Sequence, residues 1–394
     1  MKRCNCHNCL VIVILIILGI TSPCSILADI EQERLDSLAI TEAEDFVIAS
    51  LLVATPSDVL YSSVGHACLR LQCPTYDLDN IFSYESEDVR QKILHFFAGK
   101  LRMGMAAIPT KDYLAMYAAE GRGVSEYLLN LPVSVKKRLW EYLDNKVAEG
   151  MNLPYDYLHR GCAIACVHSL EGALYPDTIS YAKWSDKYIK GTRRTLLVDR
   201  LEEYPWNRFF VQTIMGTEID ESCQSQEKLV IPIDLVDVWQ RSTINGTPLL
   251  SKNVNVLVRK ADVPQRSSFV TPIGISIILL IISLVSLKWL TNVIAIFHLI
   301  LQSTLGLLLT YFVCFSDLVG TNFSWLLIPF NLLPLVFWRW RRLWVLPYAF
   351  ILGLWCLLLS IDECHRVDAA HIIWVLSIVI NYLGISINLQ RNRV

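Results

Sequence analysis

The stretch YDYLHRGCAIACVHSL, residues 155–170, places a cysteine where a loop meets an apolar helix. Gly161 precedes Cys162, and the small and apolar residues that follow are typical of a buried helix. A cysteine at a helix N-terminus lies at the positive end of the helix dipole, which lowers its pKa and favours the thiolate. Cys162 is therefore a candidate nucleophile. The alternative is an inert or disulfide-bonded cysteine, which is common outside the cytoplasm.

A reactive thiol needs a base, and the candidate base lies far earlier in the chain. Alternating apolar residues in LYSSVGHACLRL, residues 60–71, predict a strand that carries His66 directly after Gly65. Catalytic Cys and His residues are usually remote in sequence and close in space. The alternative for His66 is a half-buried structural histidine. A third residue should orient His66; Tyr84 on the predicted partner strand is the first choice, and the others are Ser63, Glu85 and His159.

The chain around these two motifs predicts a mixed α+β domain. Residues 47–55 form either a buried strand or the end of a helix. Residues 81–85 are the hairpin partner of the His66 strand. Further helices are predicted at 85–98, 111–119 and 132–149, each closely followed by glycine, and further strands at 228–233 and 254–258.

Composition divides the chain into two unlike parts. It has 394 residues, is 53% hydrophobic and only 18% charged, and 61 of its 72 charged residues precede residue 270. These values exclude a disordered chain. The formal net charge of −2 provides no electrostatic basis for nucleic-acid binding. A polar domain followed by a membrane domain is expected.

The N-terminus has the pattern of a secretory signal. Lys2 and Arg3 precede the apolar run 10–20, and Ala28 is a plausible cleavage point. An uncleaved signal anchor is the alternative, and either one exports the domain that follows. We therefore predict a signal peptide or signal anchor at 1–28, an extracytoplasmic catalytic domain at 29–266 and a membrane domain at 267–394.

The C-terminal part contains five apolar segments, each near the ~20 residues needed to cross a bilayer. The third is interrupted by Pro329, Asn331 and Pro334. The distribution of Lys and Arg puts the connections after the second and fourth segments outside and the C-terminus in the cytoplasm. Polar residues within the segments are expected to form interhelical hydrogen bonds. The predicted helices are 270–287, 293–315, 324–338, 344–361 and 371–388.

Cysteine spacing gives little sign of a metal site. The predicted exported domain has neither a CxxC pair nor any other zinc-type spacing, so no metal is expected. An odd number of cysteines in the exported domain leaves at least one free thiol, unless Cys364 pairs with it. These cysteines are Cys68, Cys73, Cys162, Cys166 and Cys223.

Several motifs in this order resemble the Lnb-type lipoprotein N-acyltransferases. They are LYSSVGHACLRL, FSYES, FFAGKL, GRGVSEYLLNL, YDYLHRGCAIACVHSL and, in the membrane part, FSDLVGTNFSWLLIPFNLLPL. The resemblance covers about residues 45–390. It implies a permuted papain-like thiol domain, similar to the NlpC-type and lecithin–retinol acyltransferase groups, followed by a five-helix transmembrane bundle. Many relatives have Asn before the cysteine, whereas this chain has Gly161.

The resemblance also implies a reaction without a cofactor. Cys162 would take an acyl chain from a membrane phospholipid as a thioester, with His66 as base, and pass it to the α-amine of a diacylglyceryl-modified lipoprotein. The implied location is the bacterial inner membrane, with the catalytic domain in the periplasm. The alternatives are a membrane-anchored cysteine peptidase or amidase of the cell wall, a thiol lipid hydrolase, and a non-enzymatic assembly factor.

Overall fold

The computed structural model describes residues 47–181, 191–220, 231–261, 270–288, 291–361 and 367–391. The predicted signal at 1–28 and Cys223 lie outside the described residues. The same holds for Cys364 and for the predicted domain boundary after residue 266.

One antiparallel sheet of seven strands organises the first domain. Its strand order is β6-β4-β3-β2-β1-β5-β9. The paired strands β2 and β3 therefore lie near its centre. A separate small hairpin pairs β7 with β8. The strands are β1 (Ile48–Ala54), β2 (His66–Cys73), β3 (Leu78–Ser86), β4 (Arg102–Pro109), β5 (Val124–Leu129), β6 (Leu153–Pro154), β7 (Thr243–Ile244), β8 (Thr247–Pro248) and β9 (Leu250–Val258).

Helices cover both faces of this sheet. The larger core lies between one face and helices α3, α4 and α7, and the smaller core lies between the opposite face and α2. Residues of the two cores alternate along the strands because successive side chains point to opposite faces of the sheet. The helices of the domain are α1 (Ile93–Phe97), α2 (Thr110–Ala119), α3 (Val133–Glu149), α4 (Cys162–Leu174), α5 (Arg193–Arg200), α6 (Pro205–Ile214) and α7 (Pro232–Trp239).

Most predicted elements of the domain are confirmed, and two are wrong. Residues 47–55 form a strand, and the His66 strand, its partner, and the helices at 111–119 and 132–149 are present. The helix at 85–98 is wrong, because Glu85 and Ser86 still pair with β4 and only Ile93–Phe97 is helical. The strand at 228–233 is wrong in its described part, since Pro232 begins α7.

Three helices in the C-terminal part are long and apolar enough to cross a membrane: Thr291–Phe315, Trp338–Ile361 and Ala369–Arg391. The prediction of five spanning helices is confirmed for these three. The first predicted helix is a 15-residue apolar helix, shorter than the ~20 residues of a typical span. The helices are α8 (Pro272–Ser286), α9 (Thr291–Phe315), α10 (Leu333–Val336), α11 (Arg341–Ile361) and α12 (Ala369–Arg391).

The third predicted helix, 324–338, is wrong as a continuous helix. It forms a turn of 3₁₀-helix at Trp325–Leu327 and the four-residue α10, because its prolines and Asn331 interrupt the helical hydrogen bonds. Neighbouring side chains bond the freed carbonyls: Gln302 Nε2 donates to Pro329 O at 2.6 Å and Tyr348 Oη to Ile328 O at 2.8 Å. A buried side chain on α9 and a half-buried one on α11 thus replace the lost backbone bonds.

A second buried polar cluster joins three apolar helices. Ser283 Oγ lies 2.9 Å from His298 Nε2, and Asn381 Nδ2 donates to the same hydroxyl. All three side chains are buried. The polar residues of the apolar segments therefore form interhelical hydrogen bonds, as their sequence positions predicted.

The domain rests on one end of the apolar helices. The loop 316–323 after α9 forms backbone hydrogen bonds with the segment after α6: Gly216 N donates to Gly320 O at 2.7 Å and Thr217 N to Phe323 O at 2.8 Å. At the start of α12, Arg208 pairs with Asp368 at 3.1 Å. These contacts put the end of α9 and the start of α12 against the domain.

Candidate active site

Cys162 is the first residue of α4, and Gly161 shapes the turn before it. A Cβ atom on Gly161 would lie 2.9 Å from the carbonyl oxygen of Tyr157, too close for any other residue without a shift of the backbone. The Cys162 thiol accepts a hydrogen bond from the backbone of Ala67 and contacts the His66 ring. The predicted helix start is therefore confirmed, and the thiol faces the end of β2.

His66 is the first residue of β2, where the chain turns sharply. Gly65 has φ +90°, and a Cβ there would lie 2.7 Å from Ala54 O, so only glycine fits this close approach. The His66 side chain forms a hydrogen bond with Cys162 and lies close to the Glu85 carboxylate. The structure thus brings together the two residues that the sequence singled out, although they come from a strand and a helix that are remote in sequence.

Ser83 and Glu85 occupy the far side of the His66 ring. His66 Nε2 lies 2.7 Å from Ser83 Oγ and 3.6 Å from Glu85 Oε1, and Ser83 Oγ donates to Glu85 Oε1 at 2.6 Å. Because the Ser83 hydrogen goes to Glu85, its oxygen accepts from Nε2–H, which leaves Nδ1 of the ring for Cys162. The chain of contacts runs Cys162–His66–Ser83–Glu85.

Electrostatics within this chain favour charge separation. Burial raises the pKa of Cys162, but the charge of His66 and its hydrogen bond outweigh burial and hold that pKa below the ordinary thiol value. Burial lowers the pKa of His66, but interactions with Tyr117, Cys162 and Glu85 raise it well above its ordinary value. Burial likewise raises the pKa of Glu85, but its interactions with His66 and Ser83 outweigh burial and hold that pKa below its ordinary value. The arrangement stabilises a thiolate beside an imidazolium, with a carboxylate behind it.

The structure does not bring Tyr84 to His66. Tyr84 lies between Ser83 and Glu85 on β3, so its ring points to the opposite face and packs against the larger core. Two further candidates make contacts elsewhere: Ser63 Oγ donates to Leu60 O at 2.7 Å, and His159 Nδ1 lies 3.1 Å from the Asp156 carboxylate. Among the four candidates for the orienting role, Glu85 is the one beside His66.

Sequence reasoning missed Ser83, although a signal for it exists. Residues 83 and 85 are two apart on β3 and therefore lie on the same face. The strand pattern alone thus predicts a hydroxyl and a carboxylate next to each other on that face. Only the register of β2 against β3, set by pairs such as Leu69 with Phe82, shows that this face meets His66.

Two other thiols lie close by but lack this activation. Cys68 and Cys166 are buried, and burial raises the pKa of both, that of Cys68 to about 12. Cys68 donates to Tyr113 Oη at 3.3 Å. Cys68, Cys73, Cys162 and Cys166 are all free thiols. Cys162 is the one of these four that is not buried, and its thiol pKa is lowered where those of Cys68 and Cys166 are raised.

Aromatic side chains connect the thiol to the apolar helices. Tyr155 lies in the loop that leads to Cys162, and burial together with the charge of Cys162 raises its pKa to about 12. Phe96 packs edge-on against Tyr155 at 5.9 Å between ring centroids, and Phe97 packs against Phe312 of α9 at 5.7 Å. The thiol therefore lies at the side of the domain that meets the apolar helices.

Metal ligation has no evident place at this site. Across the residues that the structure describes, no three His, Cys, Asp or Glu side chains are grouped as metal ligands.

The three long apolar helices define a membrane protein with a mixed α+β domain at its N-terminal side. A family model of the Lnb N-terminal periplasmic domain matches residues 37–189, a range that includes His66, Ser83, Glu85 and Cys162. This match confirms, for the N-terminal part of the chain, the resemblance to the Lnb family that the motifs predicted. No curated protein and no solved structure matches the chain.

Proposed function

We propose that this protein is a lipoprotein N-acyltransferase that works through a thioester on Cys162. The observation that carries the proposal is the Cys162–His66–Ser83–Glu85 chain at the side of the domain that meets the apolar helices. The matched Lnb domain supports a role in lipoprotein processing. The donor is a glycerophospholipid, and the acceptor is the α-amine of an S-diacylglyceryl cysteine at a lipoprotein N-terminus.

In the first half-reaction, the Cys162 thiolate attacks an ester carbonyl of the phospholipid. The carbonyl oxygen becomes an oxyanion, and the unpaired backbone N–H groups at the start of α4 are suited to stabilise it. As the C–O bond breaks, the His66 imidazolium gives its proton to the leaving alcohol oxygen. A thioester and a lysophospholipid result, and His66 is left neutral.

In the second half-reaction, the lipoprotein amine attacks the thioester. Neutral His66 accepts a proton from the attacking nitrogen, the C–S bond breaks, and the thiolate beside a protonated His66 is restored. The product is an amide. Glu85, through Ser83, holds the ring in the orientation that leaves one nitrogen facing sulfur, and stabilises its positive charge.

The place of the site supports substrates that stay in the bilayer. Phospholipid and diacylglyceryl lipoprotein are both anchored by acyl chains, so a soluble thiol far above the membrane would not reach their ester and amine groups. The rings of Phe96, Phe97 and Phe312 link the thiol to the end of α9. We propose that this end faces the periplasm.

Mass spectrometry of the acyl-enzyme tests the proposal. Full-length protein in detergent is incubated with phosphatidylethanolamine vesicles, and peptides containing residue 162 are examined for an added acyl group. We expect the adduct on the native protein and on Cys166→Ala, a matched control one helical turn away, and none on Cys162→Ala. Absence of any adduct, with Cys162→Ala fully active, contradicts the proposal.

The acceptor is tested by adding a synthetic S-diacylglyceryl cysteinyl peptide to the acylated protein. We expect the adduct to disappear as an N-acyl peptide forms. Release of free fatty acid in place of the amide would identify a lipid hydrolase. Release of peptide fragments from cell-wall polymer, with no dependence on lipid, would identify a peptidase or amidase.

A further inference from the structure

Helix α1 exposes apolar side chains at the side of the domain that meets the apolar helices. Ile93 is 44% exposed and Leu94 is 78% exposed, the highest value for an aliphatic residue in the described part of the domain. Exposed aliphatic side chains of this kind, next to a membrane domain, mark a surface that meets lipid or another partner. The segment 90–102, here called the α1 segment, contains both residues.

The α1 segment is fixed to the end of α9. Besides the packing of Phe97 on Phe312, Ser316 Oγ donates to Phe97 O at 2.6 Å and Asp317 N to Ala98 O at 3.1 Å. The exposed apolar surface continues onto α9, where Phe315 in the last turn is 74% exposed. Leu94 and Phe315 are thus exposed on neighbouring elements at the same end of the apolar helices.

The other side of α1 reaches the candidate active site. Phe96 packs against Tyr155, which lies in the loop that leads into α4 and Cys162. A chain entering past Leu94 would therefore meet Phe96 and Tyr155 before the sulfur.

Basic residues flank the apolar ones. The α1 segment has no acidic residue and four basic ones, in a domain whose residues 29–269 carry 26 basic and 33 acidic groups. Arg90 Nη2 donates to Tyr61 Oη at 3.1 Å, and Lys92 pairs with Glu87 at 2.7 Å. Exposed aliphatic residues between basic ones are typical of segments that lie in a phospholipid interface. The four are Arg90, Lys92, Lys100 and Arg102.

We propose that the α1 segment inserts Ile93 and Leu94 into the outer leaflet and is the docking site through which a phospholipid enters the active site. The basic side chains then lie at the level of the lipid phosphates. Insertion is supported by the exposure of Ile93 and Leu94 and by the exposed apolar surface that continues onto α9. Delivery of the ester to Cys162 rests on the function proposed above.

Photocrosslinking tests insertion without any measure of activity. A benzophenone amino acid replaces Leu94 in the full-length protein reconstituted in phospholipid vesicles, and Val256, 61% exposed on β9, serves as the control position. After irradiation we expect phospholipid adducts from position 94 and none from position 256. Adducts to protein alone at position 94 would identify a protein partner and overturn the proposal, as would equal lipid adducts at both positions.

Delivery is tested by Leu94→Glu against Val256→Glu. A charge placed in the leaflet opposes insertion, so we expect Leu94→Glu to slow thioester formation from vesicles by about tenfold and Val256→Glu to leave it unchanged. Alkylation of Cys162 by iodoacetamide should stay the same in both, which shows an intact site. If lipid adducts form at position 94 but no thioester forms in any protein, insertion holds and the proposed function fails. An unaltered rate in Leu94→Glu contradicts delivery.

Discussion

The protonation states of Cys162 and His66 decide what the thiol can do. A thiolate attacks an ester far faster than a thiol does. The alcohol that leaves the ester then needs a proton, which the His66 imidazolium can supply. The lowered pKa of Cys162 and the raised pKa of His66 both favour the state in which the two charged forms coexist. Between these two values the pair is ready for the first half-reaction.

The alkylation rate of Cys162 should report this pairing. In the native protein the thiolate is present above the lowered Cys162 pKa and is lost as pH falls through it, so the iodoacetamide rate should fall at a lower pH than for an ordinary thiol. In His66→Gln, burial is no longer offset and the thiol pKa rises, so the rate at neutral pH should fall about tenfold or more. The measurement is the rate against pH in a Cys166→Ala background. Superimposable profiles would contradict the pairing.

Replacement of Glu85 should separate it from Tyr84. A hydrogen bond to a charged group contributes about 1.5–3 kcal/mol, so Glu85→Gln should slow thioester formation about tenfold to a hundredfold. It should also shift the basic limb of the pH profile to lower pH, because the raised pKa of His66 depends partly on Glu85. Tyr84→Phe, on the opposite face of β3, is the control and should retain both rate and profile. A slower rate of thioester formation in Tyr84→Phe, with no such loss in Glu85→Gln, would instead assign the orientation of His66 to Tyr84.

At the scale of elements, local patterns predicted the thiol and its base but not the residues behind them. A helix start and an alternating strand are local features, so Cys162 and His66 could be identified from short stretches of sequence. The choice between Tyr84 and Glu85 depends on which face of β3 meets β2, which is set by pairing between strands. The helix expected over 85–98 failed for a related reason: the partner β4, with Gly104 and few β-branched residues, has a weak strand signal.

Gly99, between α1 and β4, should be essential to the junction with α9. It has φ +69°, and a Cβ there would lie 2.2 Å from the backbone of Asp317 and Leu318. Gly246, with φ +81° and nothing within 4 Å of a Cβ, shares the backbone strain without the clash. Thermal unfolding in detergent should therefore show a loss of about 1–3 kcal/mol more for Gly99→Ala than for Gly246→Ala. Equal losses would mean that the contact with α9 contributes nothing to stability.

At the scale of the whole molecule, the sequence predicts which segments are apolar but not which of them form continuous helices. Charge-poor segments were evident, and three of them form long helices. The segment 324–338 lies beside α11 as short turns: Trp355 Nε1 donates to Trp325 O at 3.0 Å, and Trp344 Nε1 to Phe337 O at 2.9 Å. An irregular segment of this kind depends on Gln302 and Tyr348 from other helices, and no local pattern contains that information.

The order of these segments yields the last prediction, a C-terminus on the side opposite the domain. The end of α9 and the start of α12 both contact the domain, and α12 then runs away from it toward Arg391. Arg339, Arg341 and Arg342, at the far end of segment 324–338, are the charges that the positive-inside rule places in the cytoplasm. Green fluorescent protein fused after Val394 should therefore fluoresce, and alkaline phosphatase fused there should be inactive. Phosphatase fused after Val319, in the loop that contacts the domain, should be active. An active phosphatase at Val394 would require an even number of crossings and would contradict the passage of segment 324–338 through the bilayer.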